Sequence, residues 1–188
     1  MRVIAGSAKG AKLRVPDGVS RPTTDRVREA IFSILGERVP GATVCDLYAG
    51  SGALGIEALS RGAASALFVE CDERASGVIG ANLEVAGLEG GRVCAMEVER
   101  FLGRGGRERG PFDLVFADPP YWKAGDDVDR AGQVLAKEGF REIVAADGIV
   151  ILEVRAGTCE AICDDWDLLD RRGYGGTEVL FLEAGSEG

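Results

Sequence analysis

Histidine is absent from all 188 residues of the chain. Its absence excludes Ser-His-Asp triads and histidine general bases, and it removes the commonest nitrogen ligand for zinc. Cysteine is sparse: five residues, at 45, 71, 94, 159 and 163, with no C-x-x-C pair among them. An odd count without paired spacing argues against a disulfide framework, and Cys159 and Cys163 have no second pair with which to complete a tetrahedral metal site. Cys45, Cys71 and Cys94 fall in or beside expected strands and read as small buried hydrophobes in a reducing compartment. Long apolar runs are also missing. Nothing approaches the roughly 20 residues that span a bilayer, and the opening MRVIAGSAKG lacks the apolar stretch of a signal peptide. The expectation is a soluble cytoplasmic protein with neither a membrane nor a metal partner.

Positive charge is in short supply overall, with 22 Lys and Arg against 31 Asp and Glu and a net charge of −9. The distribution is uneven. Residues 1–40 hold eight basic residues (Arg2, Lys9, Lys12, Arg14, Arg21, Arg26, Arg28, Arg38) against four acidic ones, a balance of +4, which leaves −13 for the other 148. A basic arm on an acidic body would hold a polyanion locally while the body discourages indiscriminate binding.

What is present has the alternation of an α/β domain of ordinary size. Arg2 to Ala5 and Ala11 to Pro16 read as two strands around a glycine-containing turn, a hairpin too small to stand alone. Thr23 or Thr24 then caps a helix whose apolar positions are 27, 30, 31, 34 and 35. Arg26 and Arg28 lie beside that face, where a solvated charge and a phosphate clamp look alike. Strands are expected at Thr43 to Tyr48, Ala66 to Val69, Arg92 to Met96, Phe112 to Ala117 and Gly148 to Val154, with two more between Asp164 and Leu182. Helices are expected over Leu54 to Arg61, over Asp72 to Ala86 and, closed by Gly139, over Asp126 to Glu138. Gly103 to Gly110 reads as a mobile surface loop. The sum is a doubly wound α/β sheet of about seven strands with an N-terminal hairpin and helix added, without internal repeats.

Two stretches carry chemistry. The first strand runs into Ala49-Gly50-Ser51-Gly52-Ala53-Leu54-Gly55, and a carboxylate, Glu70, ends the second strand twenty residues after Gly50. Strand, glycine loop and helix bring backbone N–H groups close to a ligand, and an acid at that distance accepts a ribose's hydroxyls. An adenosine-bearing cofactor fits, and so does a dinucleotide. Glu97 and Val98, after the third strand, could meet an adenine ring by the same topology. The second stretch is Asp118-Pro119-Pro120-Tyr121, leaving the fourth strand. Two prolines remove two donors and leave carbonyls that only accept. With a carboxylate before them and an aromatic ring after, they form either a stiff turn or a flat slot for a planar amine.

In combination these segments become specific. RVIAG with RPTTDRVREAIF, DLYAGSGALGIEALSRGA (46–63), FVECD (68–72) and DLVFADPPY (113–121) resemble the RsmD-type family of bacterial 16S rRNA guanine-N2 methyltransferases, and the resemblance runs to about residue 183. It implies a Rossmann-like class I S-adenosylmethionine-dependent methyltransferase fold, with a seven-stranded, mostly parallel sheet covered by helices on both faces. Residues 1–40 would be an RNA-contacting extension, 41–184 the methyltransferase domain and 185–188 a tail. The cofactor S-adenosylmethionine would be met by Asp46, Tyr48, Ala49, Gly50, Ser51 and Gly52 around its methionine part, by Glu70 and Cys71 at the ribose, by Glu97 and Val98 at the adenine, and by Asp118. Tyr48 stands where many other methyltransferases have glycine, and Glu97 where Asp or Asn is usual. Asp118, Pro119, Pro120 and Tyr121 would be the catalytic loop. RNA would be held by Lys9, Lys12, Arg14, Arg21, Thr23, Arg26 and Arg28.

The implied reaction is methyl transfer to the exocyclic N2 of a guanine in 16S rRNA, by a monomer acting on an assembling small subunit. DNA adenine N6 and a protein glutamine amide are planar amines that the same slot could take, although 188 residues leave little room for a DNA-reading domain. An NAD-dependent oxidoreductase shares the glycine loop but has no use for Asp118 to Tyr121.

Overall fold

The structure is a computed structural model that describes residues 1–16, 24–106, 108–119, 130–157 and 165–185. The chain divides into two compact units, Met1–Val98 and Glu99–Gly188.

The first unit opens with the N-terminal arm. The expected hairpin is there in reduced form, as one antiparallel bridge between Arg2 and Lys12 with flanking bonds such as Val3 N–H to the Ala11 carbonyl at 3.0 Å. Helix α1 (Asp25–Leu35) is capped by Thr24, whose side chain accepts the Val27 N–H. Its buried face is Val27, Arg28, Ile31, Phe32 and Leu35, whereas Ile34 is 40% exposed. The face is therefore turned from the expected 27, 30, 31, 34, 35, because burying the larger Phe32 ring removes more apolar surface than burying Ala30.

Strands β1 (Thr43–Leu47), β2 (Ser65–Glu70) and β3 (Gly91–Ala95) are parallel, in the order β3-β2-β1. Leu47 pairs with Val69, and Glu70 with Ala95, so the carboxyl ends of all three strands share one edge. Helix α2 (Ala53–Ser60) is buried along its whole length. Helix α3 (Glu73–Ala86) starts on an Asp72 cap, stops at left-handed Gly87, and buries Ala75, Ile79, Asn82 and Leu83. Both helices pack on these strands.

A single turn, α4 (Val98–Arg100), starts on the last residue of the first unit and runs into a wide helical turn over Phe101–Gly105. It takes in the first three residues of the expected glycine loop, Gly103 to Gly105, while the buried Phe101 and Leu102 just before them anchor the segment. Strand β4 (Phe112–Ala117) pairs in parallel with β5 (Val144–Arg155). Strands β6 (Trp166–Tyr174) and β7 (Thr177–Ala184) are antiparallel neighbours in the order β4-β5-β7-β6. The seven expected strands and their mostly parallel sense are thus present.

Helices α5 (Arg130–Leu135) and α6 (Glu138–Glu142) correct the expectation of one helix closed by Gly139. Gly139 lies inside α6 with its Cα pressed against the Leu102 carbonyl, where any Cβ would overlap it. The glycine permits a close approach; it does not end a helix. Among the described residues no helix is long and apolar enough to cross a membrane.

Candidate active site

The residues expected to meet the cofactor gather at the carboxyl edge of β1, β2 and β3, the edge where open α/β sheets bind ligands. Leaving β1, Tyr48 adopts φ +57°. This left-handed conformation costs a non-glycine residue about 1–2 kcal/mol, which accounts for glycine in other methyltransferases. Gly50 and Gly52 follow at φ +54° and +75°, and the Gly52 N–H closes the turn on the Ala49 carbonyl at 2.7 Å.

Glu70 holds this loop from the next strand. Its Oε2 accepts the Gly50 N–H at 2.8 Å and its Oε1 accepts the Asp72 N–H at 2.9 Å. Each oxygen keeps further acceptor capacity, and the two backbone donors fix the plane of the carboxylate. Such an oriented pair of acceptors suits vicinal ribose hydroxyls.

Asp46 lies beneath the loop, 3% exposed, with Oδ2 accepting the Gly55 N–H at 2.9 Å. Burial pushes its carboxyl up to about 7; the Gly55 N–H opposes this and the charge of Glu70 adds to it. Gly55 is where the α2 backbone meets β2, and a Cβ there would overlap the Phe68 ring. The third glycine therefore serves close helix–strand packing, with a backbone donor for Asp46 as the result.

Just after β3, Glu97 is exposed and Val98 is buried. Cys71 is exposed while Cys45 and Cys94 are buried, which corrects the expectation for Cys71. Its place at the strand end puts it in the site edge. Desolvation and the charges of Glu70 and Glu97 push its thiol up. The first unit thus brings together Asp46, Tyr48 to Gly52, Glu70 and Cys71. Their chemistry suits S-adenosylmethionine: a positive-φ turn at the strand ends, a carboxylate fixed in orientation by two backbone N–H groups and a buried acid under the loop.

In the second unit Asp118 and Pro119 directly follow β4, with Asp118 half-buried and Pro119 buried. Pro120 and Tyr121 lie outside the described residues, as do Arg21 and Thr23.

A family profile described as "Conserved hypothetical protein 95" matches residues 1–183. The chain belongs to this family, the RsmD-type rRNA methyltransferases. It is 43% identical to ribosomal RNA small subunit methyltransferase D of Escherichia coli over 122 residues, 64% of this chain and 60% of that protein. It is 44% identical to the Bacillus subtilis protein YlbH over 123 residues, 64% of this chain and 67% of YlbH. These matched stretches span about three fifths to two thirds of the curated relatives. The solved structure of the Escherichia coli protein YhhF covers 100% of this chain and 99% of its own, with a TM-score of 0.82 and 32% identity. The fold is the Rossmann-like class I methyltransferase fold, a mixed sheet with helices.

Within this RsmD-type chain, the arm shows where the side chains expected to meet RNA lie. Lys9, Lys12, Arg14 and Arg26 are exposed. Arg28 is not: its side chain is fully buried, donating to the Arg2 carbonyl at 2.7 Å and to Asp25 Oδ1 at 2.8 Å, so a surface phosphate does not reach it in this conformation. The sequence carried a signal for this, because 28, 31, 32 and 35 repeat at i, i+3, i+4, i+7 on the buried face.

Three buried polar residues that hold the arm escaped the sequence reading. Glu57 Oε2 accepts the Ile4 N–H at 2.7 Å, and its Oε1 accepts the Ala5 N–H at 3.0 Å and the Arg61 guanidinium at 2.8 Å. Ser60 Oγ accepts the Ala8 N–H at 3.0 Å and donates to the Ala5 carbonyl at 2.6 Å. Asn82 bonds the main chain of Arg14. Their only sequence signal was polarity at helix positions facing the core.

Proposed function

We propose that the chain transfers a methyl group from S-adenosylmethionine to the exocyclic N2 of a guanine in small-subunit 16S rRNA. Membership of the RsmD-type family supports the coarser part, methylation of rRNA with S-adenosylmethionine. The observation that carries the cofactor reading is Glu70, whose two oxygens are each fixed by a backbone N–H, from Gly50 and Asp72, at the strand edge.

The amine of guanine is a poor nucleophile because its lone pair is delocalised into the ring. Asp118 and the Pro119 carbonyl accept its two N–H groups, which orients the nitrogen and draws its lone pair out of conjugation. Tyr121 stacks on the base and holds it in plane. Bound S-adenosylmethionine supplies an already activated methyl group. Asp118, or water beside it, takes the proton late, so the lack of histidine is no obstacle.

Lys9, Lys12, Arg14 and Arg26, with Arg21 and Thr23, hold the phosphate backbone from the extension formed by residues 1–40, while residues 41–184 form the methyltransferase domain. The target base is splayed out of its stack, at a cost of a few kcal/mol, before it enters the slot. The protein acts as a monomer in the cytoplasm on an assembling small subunit.

Incubation with isotope-labelled S-adenosylmethionine and either naked 16S rRNA or partly assembled small subunits, followed by nucleoside analysis, tests the reading. Label in N2-methylguanosine is expected; label confined to DNA adenine or protein glutamine overturns it. Asp118→Ala should lose turnover by about 10²-fold or more while RNA affinity is retained.

A further inference from the structure

The side chain of Asn82 touches both halves of the substrate machinery in the first unit. Its Oδ1 accepts the Arg14 N–H at 2.8 Å and its Nδ2 donates to the Arg14 carbonyl at 3.0 Å. The same Nδ2 donates to the Ser51 carbonyl at 2.9 Å. Asn82 is 0% exposed and Ser51 is 4% exposed, so water does not replace the bond between them, while the two bonds to the Arg14 main chain are part-buried. The amide orientation is fixed by its partners, because one N–H needs an acceptor and two carbonyls need donors.

Arg14 lies near the end of the described N-terminal segment, residues 1–16, and its side chain is exposed. Its main chain is gripped at both polar atoms, a two-point clasp resembling strand pairing. Ser51 sits in the turn closed by the Gly52 N–H on Ala49, next to Gly50, whose own N–H is held by Glu70. A ligand that orders this turn therefore fixes the Ser51 carbonyl, which fixes the rotamer of Asn82, which fixes Arg14. Both Nδ2 protons are committed, so a shift at Ser51 breaks a buried bond unless the carboxamide, and with it Arg14, follows.

We propose that Asn82 is a positioning residue that couples cofactor occupancy of the glycine turn to the placement of the RNA-contacting arm. The coupling rests on the functional reading given above. It makes the arm a better RNA clamp once the methyl donor is bound, and by reciprocity RNA tightens the hold on the cofactor.

The test uses the full chain and S-adenosylhomocysteine as the cofactor probe. Amide hydrogen exchange is followed at residues 2–14 and 49–52, and affinity for a short 16S rRNA hairpin is measured with and without the probe. In the native protein the probe should slow exchange at the Arg14 amide and its arm neighbours at least fivefold, and tighten RNA binding by a factor within the usual range for linked sites, about 5–150. Asn82→Ala and the shape-conserving Asn82→Asp, which keeps only the acceptor for the Arg14 N–H, should bind the probe yet lose both responses. A merely structural tie would lower stability without making the arm sense the probe. Protection of 49–52 that stops short of the arm in the native protein overturns the coupling alone and needs no variant to fold. Failure of the probe to bind at all overturns the cofactor reading and the coupling with it.

Discussion

Glu70 Oε2 accepts the backbone N–H of Gly50 at 2.8 Å. One bond therefore ties the acid at the end of β2 to the glycine turn at the end of β1, so the proposed ribose acceptor and the turn proposed to meet the rest of the cofactor are set as one unit. Glu70→Gln replaces one acceptor with an NH2 group that faces a backbone N–H. Affinity for S-adenosylhomocysteine, measured by calorimetry, should fall at least tenfold, about 1.4 kcal/mol; an unchanged affinity would remove Glu70 from the ribose site.

Asp46 gives a pH dependence with a definite sign. Its carboxyl, ordinarily at 3.8, is pushed up to about 7 by burial, so the folded chain holds the proton more tightly than the unfolded one. The stabilisation is full below about pH 4 and is lost as pH rises through 7. A difference of about three pH units corresponds to at most on the order of 4 kcal/mol. Urea melts of the ligand-free protein between pH 4 and 8 should show this decline, and Asp46→Asn, which still accepts from Gly55, should flatten it. A decline that persists in the variant would assign it to another group.

Gly55→Ala tests the close approach of α2 to β2. The added methyl overlaps the Phe68 ring, and such overpacking costs about 1–3 kcal/mol. A lower urea midpoint with an unchanged m-value is the expected result. Wild-type stability would mean that the ring has room to move.

Arg26 and Arg28 are two residues apart and should behave oppositely. Arg26→Ala should lower the slope of log Kd for rRNA against log salt by about one while the protein melts normally. Arg28→Ala removes buried bonds to Asp25 and the Arg2 carbonyl, so stability should drop by roughly 1.5–3 kcal/mol with the salt slope unchanged. A reduced slope in the Arg28 variant would restore it as a phosphate contact.

The local patterns in the chain were enough to specify the strands, the glycine turn and Glu70. Parallel strands buried on both faces must be runs of apolar residues, and a turn with positive φ favours glycine, so both are written locally. The resemblance of DLYAGSGALGIEALSRGA and DLVFADPPY to one family added the cofactor and an expectation for the target.

Tertiary structure alone decided which partners polar side chains meet. The burial of Arg28 is legible in its spacing with Ile31, Phe32 and Leu35, but its partners, the Arg2 carbonyl and Asp25, are not, and Gly139 reads as a helix end until Leu102 arrives against it. Glu57, Ser60 and Asn82 carry no distinguishing local signal beyond their polarity, because the main-chain groups they satisfy lie more than thirty residues away in sequence. A buried polar group takes whatever partner the fold supplies, and that partner is fixed only when the chain closes on itself.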